Sequence, residues 1–252
     1  YSTDGMSAVR PVPGDTAANG GPMAQMYKYP LGQQLILQDG RKFRFGVAGG
    51  STLVIGNIVC GPVATASQQN LAPAAGAIGD KKITLTTGAA SAQNVFSEGY
   101  ASISVTPGAG NIYRIGSHLL MTAGAGDIVN LAPGNTLRVA FTVGTTKVDL
   151  YQNSYDGLIQ APATTLTAVV QGAALVSTLT RVGCWVQTRG MASVLTSGTL
   201  IAGTRAVVGV GAGAVSPETA TAATSKLQVT VGVTFFAAAS AAWSGVYLMI
   251  DG

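Results

Sequence analysis

Residues 35–50 read LILQDGRKFRFGVAGG, with a run of alternating apolar residues on each side of Asp39-Gly40. Asp-Gly between two such runs is typical of a type I′ turn, because both central residues of that turn need a positive φ. The pattern therefore predicts a β-hairpin. Since successive side chains of a strand point to opposite faces, the two phenylalanines of the second run are expected in the core and Lys42 and Arg44 on the other face.

The rest of the body continues this pattern, with short apolar runs separated by Gly, Pro and Asp turns and no amphipathic helix longer than a turn or two. Alternation is strictest in residues 137–143 and 227–235. The remaining predicted strands are 52–60, 82–86, 101–106, 147–151, 166–171, 181–188, 192–195, 199–201, 205–208 and 245–250. Many short strands at this spacing predict an all-β fold, an antiparallel sandwich or barrel, over residues 31–252. The sequence leaves open whether this body contains two subdomains.

Residues 1–30 differ from the body in composition. They contain four Pro and four Gly and have no sustained period, so we predict an extended N-terminal arm that is disordered in isolation. Apolar side chains near the end of the arm are predicted to anchor it on a neighbouring surface. These are Met23, Met26, Tyr27 and Tyr29.

The chain carries unusually little charge. Charged residues make up 10% of it, against roughly 25% in an ordinary soluble domain, and the mean hydropathy is +0.38. Either the chain lies in a membrane, or other protein chains cover much of its surface. The uncharged segment 227–250 is long enough for a spanning helix, but its first half has the period of a half-buried strand. We therefore predict contact with other proteins and not with a membrane.

Few groups are available for catalysis. The one histidine, His118, stands in IGSHLLM, where a core or interface position is more common than a catalytic one. No two carboxylates have a spacing that suggests acid–base work. Cys60 and Cys184 lie far apart beside strand-like residues and are predicted to be buried thiols, which favours a reducing compartment. These patterns predict a protein that is not an enzyme.

No pattern indicates a cofactor, a metal ion or a nucleic acid. The glycine strings at 108–110, 124–126 and 209–213 precede strand or loop signals, whereas a dinucleotide-binding loop precedes a helix. One histidine and two distant cysteines do not mark a zinc site. The net charge of +4 is spread along the chain, so we predict no direct binding to nucleic acid.

The exception to this spread is the trio Arg41, Lys42 and Arg44. Two interpretations of these residues stay open. They are either a solvated strand face whose charges discourage addition of a foreign strand, or a docking patch for an acidic protein surface.

Several stretches of the chain resemble glycine-rich virion structural proteins of tailed bacteriophages, the capsid decoration or cement proteins. The stretches are LGQQLILQDGRKFRFGVAGG at 31–50, GNIV at 56–59, VDLYQNSYDGLIQAP at 148–162, VGCWVQTRGMASVLTSGTLIAG at 182–203 and the uncharged strand ending at 247–250. The resemblance implies an all-β protein, commonly a homotrimer, that binds the major capsid protein on the outside of the shell and joins neighbouring capsomers. It implies no catalytic residue and no cofactor. The chain would be made in the cytoplasm of the bacterial host and located on the capsid surface of the virion.

A second function class remains as an alternative, a receptor- or glycan-binding β module of a phage tail or cell surface. Such a module needs exposed aromatic side chains. Tyr151 and Tyr155, in YQNSYDG, are the best candidates for a loop that stacks on a sugar, although both also suit the end of a strand. Our primary prediction is the structural virion protein, held to its capsid by many weak contacts.

Overall fold

The computed structural model describes residues 29–163, 165–218 and 229–251. These residues form an all-β structure, as the sequence predicts, and the one helical element among them is a 3₁₀ turn at Ala66–Gln68. The strands are β1 (Gln34–Ile36), β2 (Lys42–Ala48), β3 (Ile58–Cys60), β4 (Ala72–Pro73), β5 (Lys82–Thr86), β6 (Tyr100–Val105), β7 (Ile112–His118), β8 (Gly126–Leu131), β9 (Lys147–Tyr151), β10 (Asp156–Gln160), β11 (Val170–Ala174), β12 (Gly183–Leu195), β13 (Arg205–Val208), β14 (Val215–Pro217), β15 (Thr230–Thr234) and β16 (Trp243–Met249).

The chain divides into two compact units. The split unit contains Tyr29–Val63 and the described part of Ser154–Gly252. The inserted unit, Ala64–Asn153, interrupts it in sequence between β3 and β10. Each unit has its own buried apolar side chains, one cluster in the inserted unit and two in the split unit.

The inserted unit is a sheet of six antiparallel strands in the order β4-β5-β8-β7-β6-β9. Leu71, directly before β4, exchanges two backbone hydrogen bonds with Val148 of β9, at 2.9 and 3.0 Å. These bonds join the two outer strands, so the sheet closes on itself and leaves no long free edge. Its core is one apolar cluster, in which Tyr113 is the largest fully buried side chain.

In the split unit, five strands form a closed circuit. β2 pairs with both β10 and β12, and the order β10-β3-β11-β12 completes the ring. Only the pair of β2 and β10 in this ring is parallel. Within the ring lies an apolar cluster that includes Val59, Leu158 and Val186.

β12 is 13 residues long and serves two apolar clusters. Its first half belongs to the ring, and its second half pairs with β16, from which β15, β13 and β14 continue the sheet. Cys184 and Val186 pack in the ring cluster, whereas Ala192 and Val194 pack in the cluster beneath β15 and β16. The sequence predicted two strands here, at 181–188 and 192–195. Gly190 has a φ of 91° and lies in a continuous strand.

The predicted hairpin is present as β1 and β2, but the prediction that a type I′ turn closes it was wrong. Of the two turn residues only Gly40 has a positive φ, at 82°. Its N–H donates to the Leu37 carbonyl at 3.0 Å, and the Leu37 N–H donates to the Arg41 carbonyl at 3.0 Å. This is the three-residue hairpin loop that places one glycine in the left-handed region. The Asp39 carboxylate accepts the Arg41 N–H at 3.1 Å and so stabilises this loop.

Both faces of β2 are covered. Phe43 and Phe45 are fully buried, as predicted. The opposite face is not a solvated one, because a Cβ added to Gly46 on that face would lie 2.6 Å from Leu158 Cδ1 in the ring cluster. Arg44, on the same face, is half-buried.

The prediction of a strand at 137–143 was wrong. Leu137 and Phe141 are buried in the inserted unit, but the backbone forms only an isolated bridge between Phe141 and Gly76. Alternation of apolar residues shows which side chains face the core, but it does not show that the backbone pairs with another strand. A loop that runs along the core surface gives the same alternation. In the run at 227–235 the strand covers Thr230–Thr234, and residues 227 and 228 lie outside the described ranges.

Candidate partner-binding surface

The predicted anchors of the N-terminal arm are divided by the described range. Tyr29 is the first residue that the structure describes, and its half-buried ring lies 5.6 Å from Phe45 and 5.3 Å from Trp185 between ring centroids. Tyr29 therefore packs on the sheet of its own chain. The other three anchors lie outside the described residues, and their role in binding a partner stays a prediction: Met23, Met26 and Tyr27.

The surface that receives Tyr29 is built by a cross-strand pair. Phe45 of β2 lies directly opposite Trp185 of β12, with ring centroids 5.4 Å apart and ring planes at 66°. Such edge-to-face pairs are worth about 0.5–1.5 kcal/mol beyond the area they bury. The first described residue is thus fixed to the ring of strands by aromatic contacts.

Arg41 is neutralised within the hairpin loop. Its Nε donates to the Asp39 carboxylate at 2.7 Å, and its guanidinium carbon lies 5.7 Å from the centroid of the Phe43 ring. The two hydrogen bonds from Arg41 lower the pKa of the Asp39 carboxyl. About half of the Asp39 side chain and a third of the Arg41 side chain are exposed, and an ion pair so close to solvent contributes little to stability.

Arg44 forms the more enclosed pair. Its Nε and Nη2 donate to the two carboxylate oxygens of Asp251 at 2.8 and 3.2 Å, and its Nη1 donates to the Gly32 carbonyl at 3.0 Å. The hydrogen bond from Arg44 is the main reason why the pKa of Asp251 lies below its ordinary value, and the charge of Lys42 lowers it further. A bidentate pair with half-buried side chains fixes the geometry of both groups.

The trio is therefore not a set of three free cations. Arg41 and Arg44 each hold a carboxylate of the same chain. Sequence reasoning missed Asp251 because it lies 207 residues from Arg44, and no local pattern connects them. Binding of an acidic partner by Arg41, Lys42 and Arg44 stays a prediction.

We expect Asp251→Asn to lower the free energy of unfolding by about 1–3 kcal/mol at neutral pH, because it leaves the half-buried Arg44 guanidinium without its charged acceptor. The folded pKa of Asp251 lies below the ordinary 3.8, so this stabilisation is complete above pH 3.8 and is lost as the pH falls below it. Urea denaturation at several pH values measures both effects. Asp39→Asn is the matched control, with an expected change of less than about 0.5 kcal/mol. Equal stability of wild type and Asp251→Asn would contradict the prediction.

His118 is a core residue, one of the two placements predicted for it. Its Nε2 accepts the Phe96 N–H at 3.0 Å, and its Nδ1 donates to the Leu119 carbonyl at 2.8 Å, which places the ring proton on Nδ1. The His118 N–H donates to Asn94 Oδ1 at 2.8 Å. Both ring nitrogens are thus used in structural hydrogen bonds. Burial lowers the pKa of the imidazole below 6.5, although the nearby Leu119 carbonyl and Asp127 oppose this shift.

The position of His118 predicts a loss of stability in mild acid. Because the folded pKa lies below the ordinary 6.5, the unfolded chain takes up the proton first. The stabilisation is complete above pH 6.5 and decreases as the pH falls from there toward the folded pKa. The pKa of His118 can be measured by following its imidazole protons by NMR as the pH is changed. Because the chain has one histidine, these signals need no assignment by mutation. We expect a midpoint below 6.5, and a midpoint at or above 6.5 would contradict the placement.

Cys60 and Cys184 are buried free thiols, as predicted. Burial raises the pKa of each thiol to about 11. A thiol with so high a pKa holds little of the reactive thiolate at neutral pH, so neither cysteine has the character of a nucleophile. In the described ranges, no three His, Cys, Asp or Glu side chains are grouped in a way that could hold a metal ion.

The two tyrosines predicted to stack on a sugar belong to different units. Tyr155 is partly buried against the ring cluster and lies over Gly32, whose added Cβ would be 3.1 Å from the tyrosine ring. Tyr151 ends β9 and lies directly opposite Tyr100 of β6. Tyr100 and Tyr151 are each about two fifths exposed. Sequence reasoning missed Tyr100, because strand pairing and not sequence distance brings it beside Tyr151.

Polar groups flank the pair of Tyr100 and Tyr151. The Tyr151 hydroxyl lies 3.5 Å from the Asp149 carboxylate. Arg114 of β7 lies opposite Tyr100 on its other side, and its guanidinium is 3.8 Å from the Glu98 carboxylate. The outer face of the inserted unit thus combines two exposed aromatic rings with hydrogen-bonding groups.

Large apolar side chains remain exposed on both units. In the inserted unit the most exposed are Ile78, Leu119, Leu120 and Val143. In the split unit they include Ile36, Ile55, Val169, Leu179, Ile201, Val210, Phe235, Phe236, Trp243 and Met249. Four ion pairs are found among the described residues: Arg41–Asp39, Arg44–Asp251, Arg114–Glu98 and Arg205–Glu218. The exposed surface is therefore rich in apolar atoms and poor in charge.

None of the described residues forms a helix with the length and apolar character that crossing a bilayer requires. Comparisons of the chain with family models, with curated proteins and with solved structures found no match.

Proposed function

We propose that this chain is a structural protein of a bacteriophage virion, which binds the outer surface of the capsid and stabilises the contacts between capsomers. Its partners would be the major capsid protein and further copies of the chain, assembled as a homotrimer. The observation that carries the proposal is the exposure of large apolar side chains on both units of a chain with 10% charged residues.

The physical reason concerns solvation. An exposed apolar surface is costly for a protein that stays alone in water, whereas it stabilises a protein whose neighbours cover it. The exposed apolar residues are spread over both units, which favours several separate contacts. Several weak contacts to one lattice bind strongly together, because each contact raises the effective concentration for the next.

The architecture supports the same role. The inserted unit closes through the hydrogen bonds between Leu71 and Val148, and the split unit contains a closed ring of five strands. Closed sheets are rigid platforms without long free edges for uncontrolled strand addition. The buried polar groups described above, His118 and the Arg44–Asp251 pair, serve structural hydrogen bonds, and a capsid-binding role needs no catalytic group.

The test is the location of the chain in intact particles. Antibodies against the purified chain would be applied to particles from cultures that carry its gene, followed by immunogold electron microscopy. We expect labelling of the outer capsid surface and a fixed ratio of this chain to the major capsid protein across a density gradient. Labelling confined to tails, or a chain that stays in the soluble fraction, would refute the proposal.

Glycan binding is the second candidate function, and one observation favours it. Tyr100 and Tyr151 are paired across two strands with exposed rings, beside the side chains of Asp149 and Arg114. Exposed aromatic rings next to hydrogen-bonding groups are suited to the apolar faces and hydroxyl groups of a sugar.

A glycan array tests this second function with the wild-type chain and a Tyr100→Ala/Tyr151→Ala variant. If the pair binds sugar, the variant loses at least about tenfold in affinity, since one such contact is worth about 1.4 kcal/mol or more. Ile78→Ala is the matched control, because Ile78 is exposed on the same unit and lies between β4 and β5, outside the tyrosine pair. Absence of wild-type binding would remove the candidate.

A further inference from the structure

The largest side chains exposed on the split unit gather on one sheet face. β12, β16 and β15 lie side by side, and their outward positions, with the residues that follow β15, carry apolar side chains. Met191 lies opposite Tyr247, which lies opposite Val233 on its other side, so these three form a row across the sheet. We call the whole set the apolar face: Met191, Val233, Phe235, Phe236, Trp243, Tyr247 and Met249.

Three members of the apolar face gather around Gly245. A Cβ added to Gly245 would lie 3.1 Å from Met191 Cε and 3.3 Å from Phe236 Cδ2, so both side chains lean over this glycine. The rings of Phe235 and Phe236 pack edge to face with their centroids 4.8 Å apart. The centre of the face is therefore a cluster and not a set of scattered side chains.

One end of the apolar face extends beyond the sheet. The Trp243 indole lies across the backbone of Gly56, whose added Cβ would be 2.8 Å from Trp243 Cδ1. Ile55, the neighbour of Gly56, is half exposed. The indole is thus held in place from below while 56% of the residue remains exposed. A large aromatic ring that is both fixed and exposed is the usual anchor of a protein interface.

The size of the apolar face matches a protein–protein contact. Its seven residues are between 37% and 61% exposed. With aromatic and methionine side chains of this size, the exposed area is on the order of 700 Å². This exceeds the roughly 300–600 Å² of the largest apolar patch on a typical monomer and approaches the roughly 800 Å² that each partner contributes to a standard interface.

The lack of charged side chains on the apolar face restricts the kind of partner that it can bind. Residues 229–249 contain no charged side chain. Two strand cations border the face: Arg189 lies opposite Met249, and Arg205 of β13 lies opposite Val233 and is paired with Glu218 at 2.9 Å. A strongly acidic or basic partner would leave its charges desolvated without a counter-charge here. The equivalent face of another copy covers apolar rings with apolar rings at the centre, and at the border Arg205 is already neutralised by Glu218. We propose that the apolar face packs against the apolar faces of further copies of this chain, an inference that rests on the self-association proposed above.

The experiment is sedimentation equilibrium of the full chain over a wide range of concentration, with light scattering as a second measure of mass. We expect the wild type to exceed the monomer mass of 25.3 kDa. A Phe236→Ser/Trp243→Ser variant is expected to raise the dissociation constant about 100-fold or more, because truncation of one buried aromatic anchor costs at least about 2 kcal/mol. A wild type that is monomeric throughout would overturn the proposal.

The matched control is Leu119→Ser/Leu120→Ser, which removes two apolar side chains of the inserted unit that are at least as exposed. We expect its dissociation constant to equal that of the wild type. An equal loss of association in both variants would overturn the proposal. If the Phe236→Ser/Trp243→Ser variant does not fold, iodide quenching of the wild type replaces it. The accessible tryptophan fraction should fall as the concentration rises, since Trp243 is exposed and Trp185 is buried, and a constant fraction would overturn the proposal.

Other occupants of the apolar face are distinguished by the same measurements. If deletion of residues 1–28 converts a monomeric wild type into an oligomer, the arm of the same chain is the occupant and the proposal is wrong. Attachment to capsids is a separate question. A monomeric variant that still attaches to particles leaves the proposed virion function standing, and an associating wild type that is absent from particles refutes that function alone.

Discussion

Replacement of Tyr113 by alanine is expected to lower the free energy of unfolding by about 3–5 kcal/mol, the range found for removal of a large aromatic side chain from a core. Tyr113 is 1% exposed and lies in the apolar cluster of the inserted unit, among side chains from several strands of the closed sheet. Its hydroxyl also accepts the Arg138 N–H at 3.1 Å. The alanine variant loses the buried ring and leaves a cavity that a closed sheet cannot readily collapse.

The ring and the hydroxyl of Tyr113 are separated by a control variant. Tyr113→Phe keeps the ring and removes the acceptor of the Arg138 N–H, so we expect a loss of about 1 kcal/mol. Urea denaturation followed by circular dichroism measures both variants. If the two variants lose the same free energy, the hydroxyl and not the packed ring is the main contribution, contrary to the buried position of Tyr113.

We expect Gly232→Ala to destabilise the split unit by about 1–3 kcal/mol or more, as overpacking does in a well-packed region. Gly232 of β15 is paired with Leu248 of β16. A Cβ at this position would overlap the carbonyl oxygen of Tyr247 and lie 2.8 Å from its carbonyl carbon and 3.0 Å from Leu248 Cα. All three atoms are backbone, so the clash is relieved only if the two strands move apart.

Gly126→Ala is the control for this substitution, because Gly126 is also a strand glycine without a positive φ. The nearest atom to its added Cβ is Thr84 Cγ2 at 3.5 Å, an ordinary contact. Here alanine is expected to stabilise by about 0.5–1 kcal/mol, because it restricts the unfolded chain. Thermal and urea unfolding of the two variants should therefore differ in sign. Equal destabilisation by both substitutions would show that the close approach at Gly232 is not decisive.

The strands that sequence alone located correctly share one property. β5, β9 and β13 match the predicted bounds because each is a short alternating run between clear turn signals. β7 and β8 were missed. In β7 alternation is present at Tyr113 and Ile115, but Gly116, Ser117 and His118 follow, and this polar end resembles a loop. The register shift between Ile115 and Ser117 explains why the pattern breaks inside a paired strand.

The candidate surfaces were less predictable than the strands. From the low charge of the chain we predicted that other proteins cover much of its surface, but the low charge does not locate the apolar side chains that they would cover. Trp243 and Met191 are 52 positions apart in the printed sequence and belong to one face only because β12 and β16 pair in register. The same holds for Tyr100 with Tyr151 and for Arg44 with Asp251.

The sequence by itself determined the all-β class, the hairpin at Asp39-Gly40 and the burial of the phenylalanines that follow it, because side-chain alternation and turn residues are local properties of the chain. Tertiary structure alone decided the order of the strands, the closure of the sheets and the neutralisation of Arg44 by Asp251. These depend on which strands pair, and pairing is set by the combined packing of side chains distant in sequence. For the same reason the apolar face became visible only once three strands lay side by side.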